Sequence, residues 1–462
     1  MRTNFAPHEQ RRRRKKKLNI QWEYEQEIYR FASSVTERIE AGESISFEEI
    51  EKGFRDAALR GGNIVFTQFL SDIKDTASIC PDCAVPMKNL GVRRKNIVSL
   101  LGEGIISRNY YGCECGNHRL PKDELLGIAN TSFTLGVRRV VTQLAACDSF
   151  ERSSTTLEEI CGIYICSKDT ERIAEAAGAA IEEEKAMQIE KIFSPNEAQR
   201  PVRPPISIMY IEYDGTGVPV MKREVTGRKG KQEDGTAKTR EAKLGCIFTQ
   251  TEVNEKGEPI RDKNSTTYFG AIETSDTFSK RLYMEAVNRG VNSAEKVVVI
   301  GDGARWIWNL ANENFPKAVQ IVDIYHAKEN LWAFIKDVFS DADKQAKIKG
   351  EWFSLLDDGK IEELTSEMNR FIASDAVQKN DLERDVNYFK ENTTRMRYAD
   401  FKEQGLFVGS GVIEAGCKNV IGKRLKQSGM HWSVLGANAI IALRCAILSG
   451  DFDLLSLKAR AA

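Results

Sequence analysis

Two carboxylates in this sequence directly follow short apolar runs and stand beside glycines. Asp302 follows the valine-rich run 297–300 and lies between two glycines, and Asp214 follows the run 206–212 and precedes Gly215. The uninterrupted run 297–300 is typical of a strand buried on both faces, and we interpret 206–212 as a buried strand as well; open α/β sheets bind ligands at the carboxyl ends of their strands. Both aspartates are therefore candidate site residues. Taken alone, the Asp302 motif is better explained as the cap of a helix beginning at Ala304.

A third carboxylate, Glu414, lies near the start of a predicted late helix, where it could reach the two aspartates. We expect Ser410 to cap this helix, whose apolar face carries Val412, Ile413, Cys417, Val420 and Ile421. Oxygen ligands suit Mg²⁺, and two such ions ~3.5 to 4 Å apart can stabilise the attacking and leaving oxygens of a phosphoryl displacement. The three carboxylates thus indicate metal-dependent phosphoryl transfer.

Four cysteines have the spacing of a zinc site. Cys80 and Cys83 form one pair, and Cys113 and Cys115 follow after 29 intervening residues. The sequence between the pairs predicts a hairpin, and two cysteine turns held together by a hairpin are typical of a zinc ribbon with a structural ion. Because the second pair is one residue closer than usual, His118 could replace Cys113 or Cys115. Alternatively, the two pairs are buried separately and never meet.

Further residues have both a structural and a functional interpretation. Asp323 and His326 follow a strand, and His326 fits a structural role as well as a site near the carboxylates. A cluster of cationic and aromatic residues follows Glu414: Lys423, Arg424, Lys426, His431 and Trp432. These residues either bind a DNA backbone and stack on its bases, or form a solvated helix face. We expect Trp306 and Trp308 to pack in the core, and likewise the other six cysteines: Cys147, Cys161, Cys166, Cys246, Cys417 and Cys445.

The elements that must position these residues form an α/β chain. The segment from residue 206 to Asp323 predicts the order β, β, β, α, β, α, β, which is the ribonuclease H-like order. A mostly helical region of roughly 80 residues then separates Asp323 from Glu414, which we interpret as an insertion. Upstream, residues 18–73 predict three helical segments, and the proline-containing linker 194–205 marks a domain boundary.

The amino-acid composition limits the classes of protein to which this chain can belong. The 462 residues balance 67 basic against 67 acidic side chains, so any binding to polyanions must come from local patches. One such patch is the run Arg11–Lys17, which predicts either a disordered tail or a nucleic-acid arm. No apolar stretch is long enough to span a membrane and the N-terminus lacks the apolar core of a signal peptide, so we expect a soluble, cytoplasmic protein.

Several stretches, in order, resemble the motifs of bacterial DDE transposases of the Kra-type insertion-sequence family, which are similar to Mutator-type transposases. They are RNYYGCECGNHRLPKDELLG, YDGTGVPV, REAKLG, GDGARWIWN, IVDIYHAKENLW, RMRYADF and GSGVIEAGCKNVIGKRLKQSGMHWS. The resemblance covers roughly residues 80–451. It implies a ribonuclease H-like catalytic domain interrupted by a helical insertion, with Asp214, Asp302 and Glu414 as the metal-binding triad.

The resemblance further implies an enzyme that uses two Mg²⁺ ions, or Mn²⁺, to cut insertion-sequence ends and join them to target DNA. Its partners would be double-stranded DNA, both terminal inverted repeats and target, and a second copy of the chain, at the bacterial nucleoid. The alternative is a catalytically inactive, domesticated DNA-binding protein of the same fold. The predicted segments are a basic and helical DNA-binding region 1–75, a zinc ribbon 76–124, a helical linker domain 125–200, the catalytic core 201–328, the helical insertion 329–405 and the final core helices 406–462.

Overall fold

A computed structural model describes residues 7–75, 78–194, 204–230, 235–372 and 379–452. These residues form two compact units, the first extending to Ala174 and the second running from Glu175 to Phe452. The fold is mixed α/β, with a mixed sheet and many helices. Within the described ranges, no helix combines the length and apolar character needed to cross a membrane.

The first unit begins with two long helices, α1 (Pro7–Glu40) and α2 (Phe47–Asp72). Ser46 and Glu49 form a reciprocal capping box at the start of α2. The prediction of separate second and third helices is wrong, because α2 continues through Gly61. A Cβ atom there would lie 2.8 Å from the Tyr24 ring, so this glycine permits close helix packing instead of breaking the helix. The backbone of Arg11–Lys17 lies within α1, which corrects the prediction of a disordered tail.

A hairpin, three further helices and the first part of a fourth complete the first unit. The predicted hairpin is confirmed, with longer strands than expected: β1 (Lys88–Ser99) pairs with β2 (Gly102–Gly112), and β3 (His118–Arg119) adds to β2. One face of the hairpin places Ile97 and Ile106 in a small core with Leu70 and Ile128. The helices that follow are α3 (Pro121–Leu125), α4 (Leu135–Cys147), α5 (Phe150–Cys161) and α6 (Ser167–Phe193), whose C-terminal part belongs to the second unit.

The second unit is built on a five-stranded sheet. Its elements are β4 (Ile206–Pro219), β5 (Thr239–Gln250), β6 (Glu252–Val253), β7 (Pro259–Ile260), β8 (Thr267–Ala271), α7 (Ser275–Arg289), β9 (Ala294–Gly301), α8 (Arg305–Asn314) and β10 (Val319–Val322). The predicted order of elements is therefore found, with a small β6–β7 hairpin added. The sheet order is β10-β9-β4-β5-β8, in which β4, β9 and β10 are parallel and β5 and β8 antiparallel to their neighbours.

The register of the sheet decides where the carboxylates lie. The parallel pairing of β4 with β9 ends at Glu212 and Ile300, so the carboxyl ends of both strands reach the same edge. Asp214 lies two residues beyond Glu212, but β4 does not end there as predicted. It continues to Pro219, paired with β5 alone. Asp302 follows β9 directly.

Helices fill the chain after β10. They are α9 (Ile324–Val338), α10 (Ala342–Asp357), α11 (Ile361–Asn369), α12 (Lys379–Glu391), α13 (Tyr398–Glu403), α14 (Gly411–Gly416), α15 (Lys423–Leu425) and α16 (Val434–Leu448), with a π-helical segment Cys417–Gly422 between α14 and α15. Ser410 occupies the N-cap position of α14, but its side chain makes no capping hydrogen bond, which corrects that prediction.

Candidate functional site

Asp214 and Asp302 lie near one another at the carboxyl edge of the sheet. Burial raises the pKa of Asp214, and the negative charge of Asp302 adds to this shift. The Asp214 carboxylate also accepts hydrogen bonds from Gly215 N at 2.6 Å and from the Cys417 thiol at 3.7 Å. Like charges held together at a strand edge are an arrangement that a divalent cation would stabilise.

The loop at Asp302 is fixed on two sides. Its Oδ1 accepts a hydrogen bond from Ala304 N at 2.9 Å, so the side chain does support the start of α8. The Tyr388 hydroxyl donates to the Asp302 carbonyl oxygen at 3.0 Å. Gly303 has φ +98°, and a Cβ atom on it would lie 2.5 Å from the Tyr388 ring. A glycine is required here, because a side chain would be strained and would displace the tyrosine.

Glu414 lies in a compact group with Asp323 and His326. The ligand atoms of these three residues all lie within 4.8 Å of one another, and neither Asp214 nor Asp302 is part of this group among the described residues. Glu414 is connected to Asp214 through its own helix, because Cys417 follows it by one turn and contacts the Asp214 carboxylate. The structure thus brings Asp323 and His326, which had two interpretations, directly beside Glu414.

Asp323 holds the first turns of two helices. Its Oδ1 accepts a hydrogen bond from His326 N at 2.8 Å and caps α9, and its Oδ2 accepts one from Ser410 N at the start of α14. The side chain is fully buried. His326 Nδ1 is buried and has no hydrogen-bond partner among the described residues. An orphaned ring nitrogen beside carboxylates fits a bound metal or phosphate.

A second buried acid, Glu212, lies beneath the same helix and was not found from the sequence. Its Oε2 accepts a hydrogen bond from Ile413 N at 2.9 Å, while Oε1 is buried without a partner among the described residues. Burial raises the pKa of Glu212 to about 8, against the opposing effect of the Ile413 N–H. The available signal was the acidic residue inside the otherwise apolar run 206–213.

The predicted DNA-contacting cluster divides into exposed and buried members. Lys423, Lys426 and His431 are exposed, and Lys426 Nζ donates to Thr216 Oγ1 at 2.5 Å, two residues beyond Asp214. Arg424 is fully buried with its guanidinium 4.9 Å from the Trp432 ring centroid. Trp432 is also buried, and its indole donates to the Leu425 carbonyl. These two side chains do not form the exposed contact surface that was predicted.

The core predictions for the remaining tryptophans and cysteines have mixed outcomes. Trp308 is buried, and Trp306 packs against the rings of Tyr213 and Phe278, so core packing is confirmed for both. Among the cysteines, Cys246 and Cys445 are buried, whereas Cys147 is exposed, which corrects its assignment to the core. Cys417 is half-buried, and burial together with the charge of Asp214 raises its pKa to about 12.

The four predicted metal-binding cysteines meet in the first unit. Their sulfur atoms all lie within 4.8 Å of one another, with Cys80 and Cys115 3.5 Å apart. A tetrahedral ion with bonds of about 2.3 Å requires sulfur separations of about 3.8 Å. Hydrogen bonding from the Cys83 backbone lowers the pKa of Cys80 to about 6. The alternative ligand His118 lies in β3, where its ring packs against Tyr110 with centroids 5.1 Å apart.

Comparison with known proteins places the chain in a family. Residues 40–453 match the family described as Uncharacterised protein family (UPF0236), and the chain belongs to it. A similar solved structure is that titled Drosophila P element transposase strand transfer complex, with 8% sequence identity and a TM-score of 0.33. The similarity covers 69% of this chain and 93% of that one. At this level it does not establish a common activity. No curated protein was found to match the chain.

Proposed function

We propose that this member of the UPF0236 family is a DDE-type transposase of the Kra-type insertion-sequence group, with Asp214, Asp302 and Glu414 as its metal-binding triad. The observation that carries the proposal is the convergence of acidic side chains at one sheet edge. Burial and the charge of Asp302 raise the pKa of Asp214, and Cys417, which begins the π-helical segment after the helix of Glu414, contacts the Asp214 carboxylate. The motif resemblance given by the sequence supports the same assignment.

The donor set fits Mg²⁺ or Mn²⁺. Carboxylate oxygens are the ligands these hard cations prefer, and the neighbouring negative charges of Asp214 and Asp302 call for a countercharge. When bound, a pair of such ions would supply charge stabilisation to the oxygens of an in-line phosphoryl displacement. The role of the chain is to hold the carboxylates in place, which Tyr388 does for the Asp302 loop.

Other side chains take supporting roles in this proposal. Asp323 uses both carboxylate oxygens on backbone N–H groups, so it positions the helices that carry His326 and Glu414. His326 lies beside Glu414, with a buried Nδ1 that has no partner among the described residues, and in this proposal it positions the Glu414 carboxylate. Lys426, exposed and bonded to Thr216, provides a cation for the DNA backbone.

The fold supports this assignment. The sheet order β8-β5-β4-β9-β10 corresponds to sequence strands 3-2-1-4-5, with the first three strands antiparallel and the last two parallel to β4, and we infer a ribonuclease H-like core. We interpret α9–α13 as the helical insertion before the final acidic residue. In the first unit we propose a zinc ribbon in which Cys80, Cys83, Cys113 and Cys115 hold a structural Zn²⁺.

The proposed substrates are the terminal inverted repeats of a bacterial insertion sequence and its target DNA, and two copies of the chain would hold two ends together. The test uses full-length protein, Mg²⁺ and duplexes taken from the DNA that flanks the reading frame. Asp302→Asn should reduce cleavage and joining at least about a hundredfold, because a lost metal ligand removes several kcal/mol of stabilisation. The matched control is Asp276→Asn, which removes an exposed carboxylate at the start of α7.

Normal cutting and joining by Asp302→Asn would refute the proposal. A catalytically inactive DNA-binding protein of the same fold would give a different pattern. It would bind end duplexes in EDTA and produce no nicks with Mg²⁺ or Mn²⁺. Cleavage of duplexes that lack the terminal repeats, at the same rate as end duplexes, would indicate a general nuclease instead.

A further inference from the structure

Part of one face of the β1–β2 hairpin is exposed to solvent. Successive side chains alternate between the two faces of a strand, so Ile97 and Ile106 define the buried face. On the opposite face Val92 is 64% exposed and Ile105 is 51% exposed, although both are apolar. The register pairs Val92 with Asn109, Arg94 with Ser107 and Asn96 with Ile105. The open hairpin face therefore consists of the exposed Val92, Arg94, Asn96 and Ile105 with the half-buried Ser107 and Asn109, and it ends at Val98, which packs against the core of α4 and α5.

The open hairpin face carries side chains of the types that can contact DNA bases. Arginine makes paired hydrogen bonds with guanine, asparagine does so with adenine, and small apolar groups contact the thymine methyl. The side chains of Arg94 and Asn96 are exposed, and among the described residues the Arg94 guanidinium has no recorded hydrogen bond or ion pair. Two carboxylates lie at the ends of the face in the described residues: Glu103, which pairs with Val98 beside the turn, and Asp75, whose Oδ2 accepts a hydrogen bond from Asn109 N.

The basic residues of the buried face are already used within the protein. Lys95 and Arg108 both pair with the buried Asp123, and Lys95 also donates to the Ile128 carbonyl. Arg93 turns toward the same side, with its guanidinium 5.4 Å from the Tyr110 ring centroid. Arg93 and Arg94 are thus neighbours on one strand with opposite orientations. The positive charge available to a ligand on the open hairpin face comes from Arg94.

We infer that the open hairpin face enters the major groove of double-stranded DNA and reads its sequence. Two paired strands are about 4.8 Å apart, and the major groove is about 12 Å wide, so a two-stranded ribbon fits within it. This inference rests on the proposed function insofar as the DNA is the end of a mobile element. The hairpin would select the end, while the carboxylates of the second unit would act on it.

The test compares two arginine variants of the full-length protein. Duplexes are first selected from a random-sequence pool by the wild-type chain, and affinities for the selected and a scrambled duplex are then measured by fluorescence anisotropy. Arg94→Ala should weaken binding to the selected duplex by about tenfold or more and reduce the preference over the scrambled one. Arg93→Ala removes the same charge from the opposite face and should change both affinities about equally, by a smaller factor. Asn96→Ala should also lower the preference.

Three results would overturn the inference. Equal losses in Arg93→Ala and Arg94→Ala would indicate that only general charge matters. Unchanged binding in Arg94→Ala and Asn96→Ala would show that the open hairpin face is not used. If these variants alter the mass of the protein in solution but not its affinity for DNA, the face binds a second copy of the chain. None of these readouts requires DNA cleavage, so failure of the catalytic proposal would be seen separately.

Discussion

Replacing the buried Glu212 by glutamine should increase the stability of the protein, relative to wild type, as the pH rises. Glu212 is fully buried, and burial raises its pKa from 4.5 to about 8. Folding therefore favours the protonated acid, whose contribution is fully present below pH 4.5 and is lost progressively as pH rises toward 8. Glutamine keeps an acceptor for Ile413 N and cannot ionise, so it should not show this loss.

The size of the effect follows from the two pKa values. For a group that titrates at 4.5 in the unfolded chain and at about 8 in the folded one, raising the pH from about 5 to about 8 removes about 3 to 4 kcal/mol of stability. The difference in unfolding free energy between Glu212→Gln and wild type should therefore grow by this order of magnitude over that range. Groups common to both proteins cancel in the comparison.

Urea unfolding followed by tryptophan fluorescence measures this difference. Of the six tryptophans, all but Trp22 lie in the second unit, so the signal reports on the unit that contains Glu212. The measurements are made at about pH 5 and 8 without added Mg²⁺. Glu252→Gln, which removes an exposed carboxylate from β6, is the control. A difference between Glu212→Gln and wild type that stays constant to within about 1 kcal/mol would refute the reasoning.

Three further predictions concern packing, capping and metal. Gly178→Ala should destabilise the second unit by at least about 1 to 3 kcal/mol, because the new Cβ would lie 2.0 Å from the Ala439 carbonyl oxygen; an unchanged melting temperature would contradict this. Ser46→Ala should cost about 1 kcal/mol and speed amide hydrogen exchange in the first turn of α2, whereas equal exchange rates would show that the capping box contributes little. Cys83→Ser should lose the one zinc ion per chain that we expect by mass spectrometry, while Cys147→Ser, at an exposed cysteine, should retain it.

Local patterns predicted the parts of the fold that depend on neighbouring residues. The valine run of β9 and the hairpin between the cysteine pairs were found because strand propensity and turn residues act over a few positions. The same local reasoning failed at Gly61, where contact with Tyr24 of another helix, and not the glycine's own flexibility, determines the structure.

Features set by distant contacts could not be predicted from the sequence. Trp432 is buried because its backbone pairs with the end of β4 and the residues after it: Met221 N donates to the Trp432 carbonyl, and Trp432 N donates to that of Pro219. Nothing near Trp432 in the sequence indicates this pairing. The grouping of Glu414 with Asp323 and His326 likewise depends on how α14 docks, which the buried acids Asp323 and Glu212 determine.

The hydrogen bond from Ile413 N to Glu212 can form only late in synthesis of the chain. The two residues are separated by 201 positions, and at about 5 to 20 residues per second a ribosome needs about 10 to 40 s to pass from one to the other. Throughout that interval the growing chain already carries the complete hairpin and cysteine cluster but lacks Glu414. A product that terminates within that interval would retain the open hairpin face and lack Glu414, so under the proposals above we expect it to compete for DNA without being able to cut it.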